Sequence, residues 1–197
     1  MAISAQEVKK LRDMTGAGMM DCKKALGETD GDFDKAVDFL RKKGLSQAAK
    51  KAGRETSEGM VYSYIHPGNS IGVLIEVNCE TDFVARNDKF QAFVHDLAMH
   101  VAAANPRWVG REEVPETELE HEKQIFRDQM KESGKPENII EKIVEGKLGK
   151  FYSENCMLEQ GFIKDPDTAI QDLLSAKIAE IGENMRIARF CRYELGK

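Results

Sequence analysis

Ile71-Gly72-Val73-Leu74-Ile75-Glu76-Val77-Asn78-Cys79 is dense in β-branched residues and runs straight into the polar stretch Glu80-Thr81-Asp82-Phe83-Val84-Ala85-Arg86-Asn87. Upstream, residues 60–65 have the same strand character, and Pro67-Gly68-Asn69-Ser70 between the two runs supplies turn formers. That pattern predicts a β-hairpin. Downstream, Phe90, Phe93, Val94, Leu97, Ala98 and Val101 recur at helical spacing over 88–104, and Asn105-Pro106 ends the pattern. Residues 80–87 therefore connect a strand to a helix, a position from which binding residues are commonly presented.

Further along, residues 117–131 and 136–159 read as charged helices. Ile139, Ile140, Ile143, Val144 and Leu148 form one buried stripe in the second, and the gap 132–135 with Gly134 suits an antiparallel helical hairpin. Residues 168–181 read as another helix with Ile170, Leu173, Leu174, Ile178 and Ile181 inward, and Gly182 fits its C-terminal cap. The tail 185–195 alternates. Ile187, Cys191, Tyr193 and Leu195 fall near one face, with Arg192 and Glu194 on the other, so a third strand is predicted to join the hairpin.

The first 45 residues read as three short helices. Ser4 with Glu7 three residues on is a capping-box arrangement, and Val8, Leu11 and Met14 follow on one face. Thr15-Gly16-Ala17-Gly18 breaks the helix, which resumes over 19–26. A third begins at Gly31-Asp32 and carries Phe33, Ala36, Val37 and Leu40 before Gly44 closes the unit. Residues 46–58, small and basic with Lys50, Lys51 and Arg54, read as a partly helical linker. The division expected is a three-helix domain over 1–45, a linker over 46–58 and an α+β core over 59–197. That core has a small three-stranded antiparallel sheet packed by helices and lacks the strand and helix alternation of a doubly wound fold.

Composition narrows the function. With 41% hydrophobic residues over 197 positions a real core is available, and the net charge of -5 lacks the basic excess that nucleic acid demands. No stretch approaches a membrane span and residues 1–10 lack an apolar signal core, so a cytoplasmic protein is expected. Cys22, Cys79, Cys156 and Cys191 lie far apart without a Cys-x-x-Cys pair and read as free thiols. His66, His95, His100 and His121 form no ligand array, and Thr15-Gly16-Ala17-Gly18 lacks the Gly-Lys-Ser/Thr end and preceding strand of a phosphate loop. Neither a metal nor a cofactor is expected, and no motif supports covalent catalysis.

Two segments are open to a functional reading. Met19 and Met20 are neighbours and cannot both face the interior of so small a unit, so one faces solvent, either as an incidental surface residue or as an adaptable contact for a partner. Asp82 and Phe83 carry a similar choice: Asp82 capping the next helix with Phe83 folded back on the core, or an acidic and aromatic wedge in which the ring enters a partner's pocket.

The stretch Leu11-Arg12, then Thr15-Gly16-Ala17-Gly18-Met19-Met20-Asp21-Cys22-Lys23-Lys24-Ala25-Leu26, resembles the N-terminal signature of the elongation factor Ts family. Glu76-Val77-Asn78-Cys79-Glu80-Thr81-Asp82-Phe83-Val84-Ala85-Arg86 is similar to its core signature, and the likeness continues through Lys50-Lys51-Ala52-Gly53, Ser133-Gly134-Lys135-Pro136 and Lys164-Asp165-Pro166. The resemblance implies a ubiquitin-associated-like three-helix domain and a non-enzymatic exchange factor that makes elongation factor Tu release GDP, meeting both its GDP-bound and nucleotide-free forms. It implies partner contacts at Leu11, Arg12, Met19, Met20, Lys51 and His66, and a magnesium-dislocating loop of Thr81, Asp82, Phe83 and Val84.

The chain has room for one core copy where longer members of that family carry two core halves, so a homodimer is expected. The alternating strand at 187–195 is a candidate seam, and it would bring Cys191 near its twin. Two other readings stand beside this one: an adaptor whose three-helix unit binds another protein, and a thiol-dependent enzyme using Cys191.

Overall fold

The computed structural model of the protein describes residues 3–131 and 136–197. In chain order the elements are α1 (Ala5–Thr15), α2 (Met19–Glu28), α3 (Phe33–Lys51), β1 (Glu58–Ile65), β2 (Ile71–Cys79), α4 (Asp82–Ala85), α5 (Asp88–Ala104), α6 (Glu116–Lys131), α7 (Glu137–Asn155), β3 (Gly161–Phe162), β4 (Asp165–Ala169), α8 (Ile170–Ile181) and β5 (Met185–Glu194). The class is α+β: β1, β2 and β5 form an antiparallel sheet in the order β1-β2-β5, and β3 pairs with β4 in a separate two-stranded ribbon. The chain forms two compact units, one of Met1–Val61, Glu76–Val94 and Asp172–Ile187, the other of Tyr62–Ile75, His95–Gln171 and Ala188–Lys197.

In the first unit the predicted capping box is formed. The Glu7 amide donates to Ser4 Oγ at 3.2 Å, and the Ser4 amide donates back to Glu7 Oε2 at 2.7 Å, satisfying free backbone donors at the start of α1. Gly16 ends α1 in the left-handed region at φ 67°, a conformation glycine adopts without Cβ strain. Val8, Leu11, Cys22, Ala25, Leu26, Ala36 and Leu40 close the core of α1, α2 and α3.

Helix α3 does not stop at Gly44, where the sequence pattern ends the unit, but runs on to Lys51. An internal glycine costs a helix about 1 kcal/mol relative to alanine. Here Ala48 is buried and α3 meets α8 through separate contacts at Arg41, Gly44 and Lys51, which offset that cost. Arg41 pairs with Asp172, Lys51 Nζ donates to the Ile178 carbonyl at 3.4 Å, and a Cβ at Gly44 would rest 3.7 Å from the Ala179 Cβ. In the same unit Gly59 brings β1 so close to β2 that a Cβ there would collide with the Val77 carbonyl oxygen.

In the second unit the hairpin turn closes through the His66 amide, which donates to the Ile71 carbonyl at 2.9 Å, and the Leu195 amide reaches the Ser70 carbonyl at 2.8 Å. Helices α6 and α7 pack against each other, while the turn expected at 132–135, with Ser133, Gly134 and Lys135, lies outside the described residues. The apolar stripe of α7 is shorter than its sequence suggests. Val144, Leu148 and Phe151 are buried, Ile140 and Ile143 are half-buried, and Ile139 is exposed, because the cluster of Val114, Phe151, Cys156, Trp108, Leu119 and Tyr152 gathers around the C-terminal part of the helix.

Two details of the C-terminal region also differ from the sequence reading. Thr168 and Ala169, read as the start of the last helix, instead end β4, since the Gly161–Ala169 and Phe162–Asp165 pairs hold residues 165–169 extended. In β5 the alternation changes sense along its length: Met185 and Ile187 are buried, whereas Cys191 and Tyr193 are exposed, so Ile187 does not share their exposure.

Candidate functional site

The connection after β2 is a short helical turn with one residue turned in and one turned out. Thr81, in extended conformation, is the N-cap of α4, its Oγ1 accepting from the Val84 amide at 3.3 Å. Asp82 is thus not the cap. It pairs with Arg86 at 2.9 Å across one exposed helical turn, an arrangement of small energetic weight. Val84 is buried, but Phe83 keeps 79% of its surface exposed and does not fold back on the core.

That turn is held from a distance. Glu183, just after α8, accepts from the Glu80 amide at 3.1 Å and the Thr81 amide at 3.0 Å through one carboxylate oxygen, and from the Thr81 hydroxyl at 2.7 Å through the other. Glu80 answers by accepting from the Asn184 amide at 2.5 Å and from Arg54 at 3.4 Å, while the Asn184 side chain donates to the Arg54 carbonyl at 2.9 Å. Cys79 is buried beneath the turn, its thiol 3.2 Å from the Thr81 carbonyl. Burial pushes that thiol up to about 11, with the Glu183 charge adding to the shift. None of Glu183, Asn184 and Arg54 is marked by local sequence pattern, since Glu183 and Asn184 lie more than a hundred residues from the loop they hold.

A second surface belongs to α1 and α2. Met19 and Met20 are both exposed, so neither is a core residue, and Arg12 on α1 is exposed as well. Met20 lines an open groove with Ile3, Lys23, Lys24 and Gly27. Leu11 leaves this set. It is wholly buried among Val8, Cys22 and Leu26, so it supports the surface and does not form part of it.

Lys51 is half-buried against α8 through its bond to the Ile178 carbonyl. In the other unit His66 is exposed at the hairpin turn, its Nδ1 3.0 Å from the Tyr64 hydroxyl. The Tyr64 ring stands edge-on to His95 at 5.5 Å between centroids, and the Tyr62 hydroxyl meets His95 Nδ1 at 3.0 Å.

Among the described residues no group of three or more His, Cys, Asp or Glu is arranged to hold a metal ion, and no helix is long and apolar enough to cross a membrane. The four cysteines are free thiols. Cys22 and Cys156 are buried, and burial raises both thiols, Cys156 to about 11, far from nucleophilic readiness at neutral pH.

The sequence profile described as Elongation factor TS matches residues 45–197. The chain belongs to the elongation factor Ts family. It is 63% identical over its full length to "Elongation factor Ts" of Geobacter sulfurreducens, covering 91% of that relative. It is 59% identical to the protein of the same name from Fervidobacterium nodosum, each covering 100% of the other, and 56% identical over 195 residues to that of Thermosipho melanesiensis. The Fervidobacterium nodosum and Thermosipho melanesiensis relatives are thus matched over the whole of their length. Membership places the protein in translation elongation, within protein biosynthesis.

The stretch matched by the elongation factor Ts profile contains the 80–87 turn together with Arg54, Glu183 and Asn184 that hold it. The Met19 and Met20 surface precedes residue 45 and is covered by the full-length relatives.

Proposed function

We propose that the protein is a guanine-nucleotide exchange factor for elongation factor Tu, working by binding alone. The observation that carries this reading is Phe83, a large ring held out in solvent on a turn whose other groups are capped, buried or hydrogen-bonded. Exposing a phenylalanine is costly in water, roughly 1.5–3 kcal/mol relative to burying it, and a partner's pocket recovers that energy.

Asp82 and Phe83 enter beside the partner's magnesium and phosphate site. The ring displaces partner side chains, and the carboxylate repels the phosphates or disturbs the metal's water shell. Arg12, Met19, Met20 and Lys51 grip the nucleotide-binding domain, with methionine's flexible thioether adapting to the partner's surface. His66 meets a further part of elongation factor Tu. Thr81 and Val84 keep the loop in shape.

Energetically, a factor that binds nucleotide-free elongation factor Tu more tightly than the GDP form must weaken GDP by the same ratio, about 1.4 kcal/mol of coupling for each tenfold. GTP then displaces the factor by the same reciprocity.

The reading includes a homodimer. In the second unit Ile65, Leu74, Cys191, Tyr193 and Leu195 are all exposed, and β5 is an edge strand. An open edge carrying apolar side chains favours pairing with a second copy across a two-fold axis. The cellular setting is the cytoplasm.

The deciding experiment follows release of fluorescent GDP from elongation factor Tu with the natural protein present. Strong acceleration supports exchange. Tight binding without acceleration at micromolar protein replaces it with the adaptor reading.

A further inference from the structure

The Asp82–Ala85 helix is a single turn, too short to be stable by itself, because nucleating a helical turn costs more than its few hydrogen bonds return. Its shape must come from outside. The Thr81 amide and hydroxyl both donate to Glu183, the hydroxyl also caps Val84, and the Thr81 carbonyl accepts from the Cys79 thiol and the Ala85 amide. Thr81 is thus tied through every polar group it has, and Glu183 is the one partner in that set which lies outside 79–85.

Glu183 is itself fixed. It follows α8, whose Glu180 accepts from Lys89 at 2.7 Å and Lys177 at 2.8 Å and would touch a Cβ placed on Gly16 at 3.6 Å, while Arg41 holds Asp172 at the other end. All of these residues belong to the first compact unit.

We propose that Glu183 is a positioning residue for nucleotide exchange: its carboxylate, anchored by α8, holds Thr81 so that Asp82 and Phe83 are presented in one orientation before elongation factor Tu is met. The inference rests on the exchange reading above. A pre-formed wedge loses no freedom on entering its pocket, so the clamp acts mainly on the plateau rate of GDP release, while the grip from Met19, Met20 and Arg12 sets the concentration at which that plateau is reached.

The chemistry distinguishes two variants. In Glu183→Gln the amide oxygen still accepts from the Glu80 and Thr81 amides, and its NH2 donates to the Thr81 hydroxyl, which keeps a lone pair for Val84. Glu183→Ala removes all three bonds.

The test titrates full-length natural protein, Glu183→Ala, Glu183→Gln and Phe83→Ala against elongation factor Tu loaded with fluorescent GDP. It also measures hydrogen exchange at the Glu80 and Thr81 amides. The expected result for Glu183→Ala is a plateau rate about tenfold lower, with the half-saturating concentration within about twofold of the natural protein. Those two amides lose protection. Glu183→Gln stays within about twofold of the natural plateau, with both amides still protected.

A folded Glu183→Ala protein with the natural plateau overturns the inference, and so does Glu183→Gln as impaired as the alanine variant. If Glu183→Ala does not fold, Glu183→Asp takes its place, keeping the charge but shortening the reach by one methylene. A natural plateau for that variant overturns the inference equally. Failure of the natural protein to accelerate release would overturn the exchange reading and this inference with it, whereas acceleration unaffected by losing Glu183 overturns this inference alone.

Discussion

Phe83 and Val84 are successive residues of one helical turn with opposite surroundings: Phe83 is 79% exposed and Val84 6% exposed. Neighbours on a helix point about 100° apart, so once Thr81 caps the turn and Val84 is drawn into the core, Phe83 is directed outward.

The two residues should therefore respond differently to truncation. Val84→Ala leaves a cavity and should lower stability by about 1–2 kcal/mol, whereas Phe83→Ala should melt within about 0.5 kcal/mol of the natural protein. Chemical denaturation of both variants checks the contrast.

On the three-helix surface the split falls between Leu11 and the methionines. Leu11→Ala should destabilise the α1 to α3 core by about 2–5 kcal/mol. A Met19→Ala, Met20→Ala protein should stay folded and require a higher concentration to reach half of its plateau rate of GDP release. Circular dichroism melts and a titration against elongation factor Tu separate the two.

Acid should weaken the second unit through His100. Gln160 donates its amide nitrogen to the Glu154 carbonyl at 2.8 Å, so its oxygen faces His100 Nε2 at 3.0 Å and the proton sits on that nitrogen. Among the described residues Nδ1 is buried without a hydrogen-bond partner, and burial holds the imidazole below its usual 6.5. The unfolded chain therefore takes up the proton more readily, and stability should fall as pH drops below 6.5, levelling off under the folded value. For Glu180, burial raises the carboxyl, but hydrogen bonds from Lys177 and Lys89 outweigh it and leave the group below 4.5, so its contribution is lost only in a more acidic range. His100→Leu should flatten the slope that starts at 6.5, though at neutral pH it leaves the Gln160 oxygen unpaired at a cost of about 1–3 kcal/mol. Melting temperature against pH for both proteins is the measurement.

The dimer has its own test. Tyr193→Asp places a charge on the exposed end of β5 and should shift the protein in sedimentation from twice the 22.1 kDa chain mass to that mass itself. Migration of the natural protein that is the same with and without reductant would show that no Cys191 bridge is needed.

The hairpin and α5 are legible in the sequence because their signals are local. Turn formers at 67–70 and β-branched runs specify β1 and β2, and the apolar period over 88–104 coincides with α5. What local pattern misses depends on residues far apart in the chain. Helix α3 passes Gly44 where it touches α8 at Ala179, and residues 165–169 are extended because Gly161 and Phe162 pair with them. At the candidate site, Asp82 and Phe83 stand out as residue types, but the cap is Thr81 and its anchor Glu183 lies 102 positions away, with no periodicity to link them.

The most direct test compares release of fluorescent GDP from elongation factor Tu with no factor, with the natural protein, and with an Asp82→Ala, Phe83→Ala protein that still folds and dimerises. Strong acceleration by the natural protein, lost in the double variant, is the predicted result. Equal acceleration by both would contradict the wedge, and no acceleration by either would contradict nucleotide exchange itself.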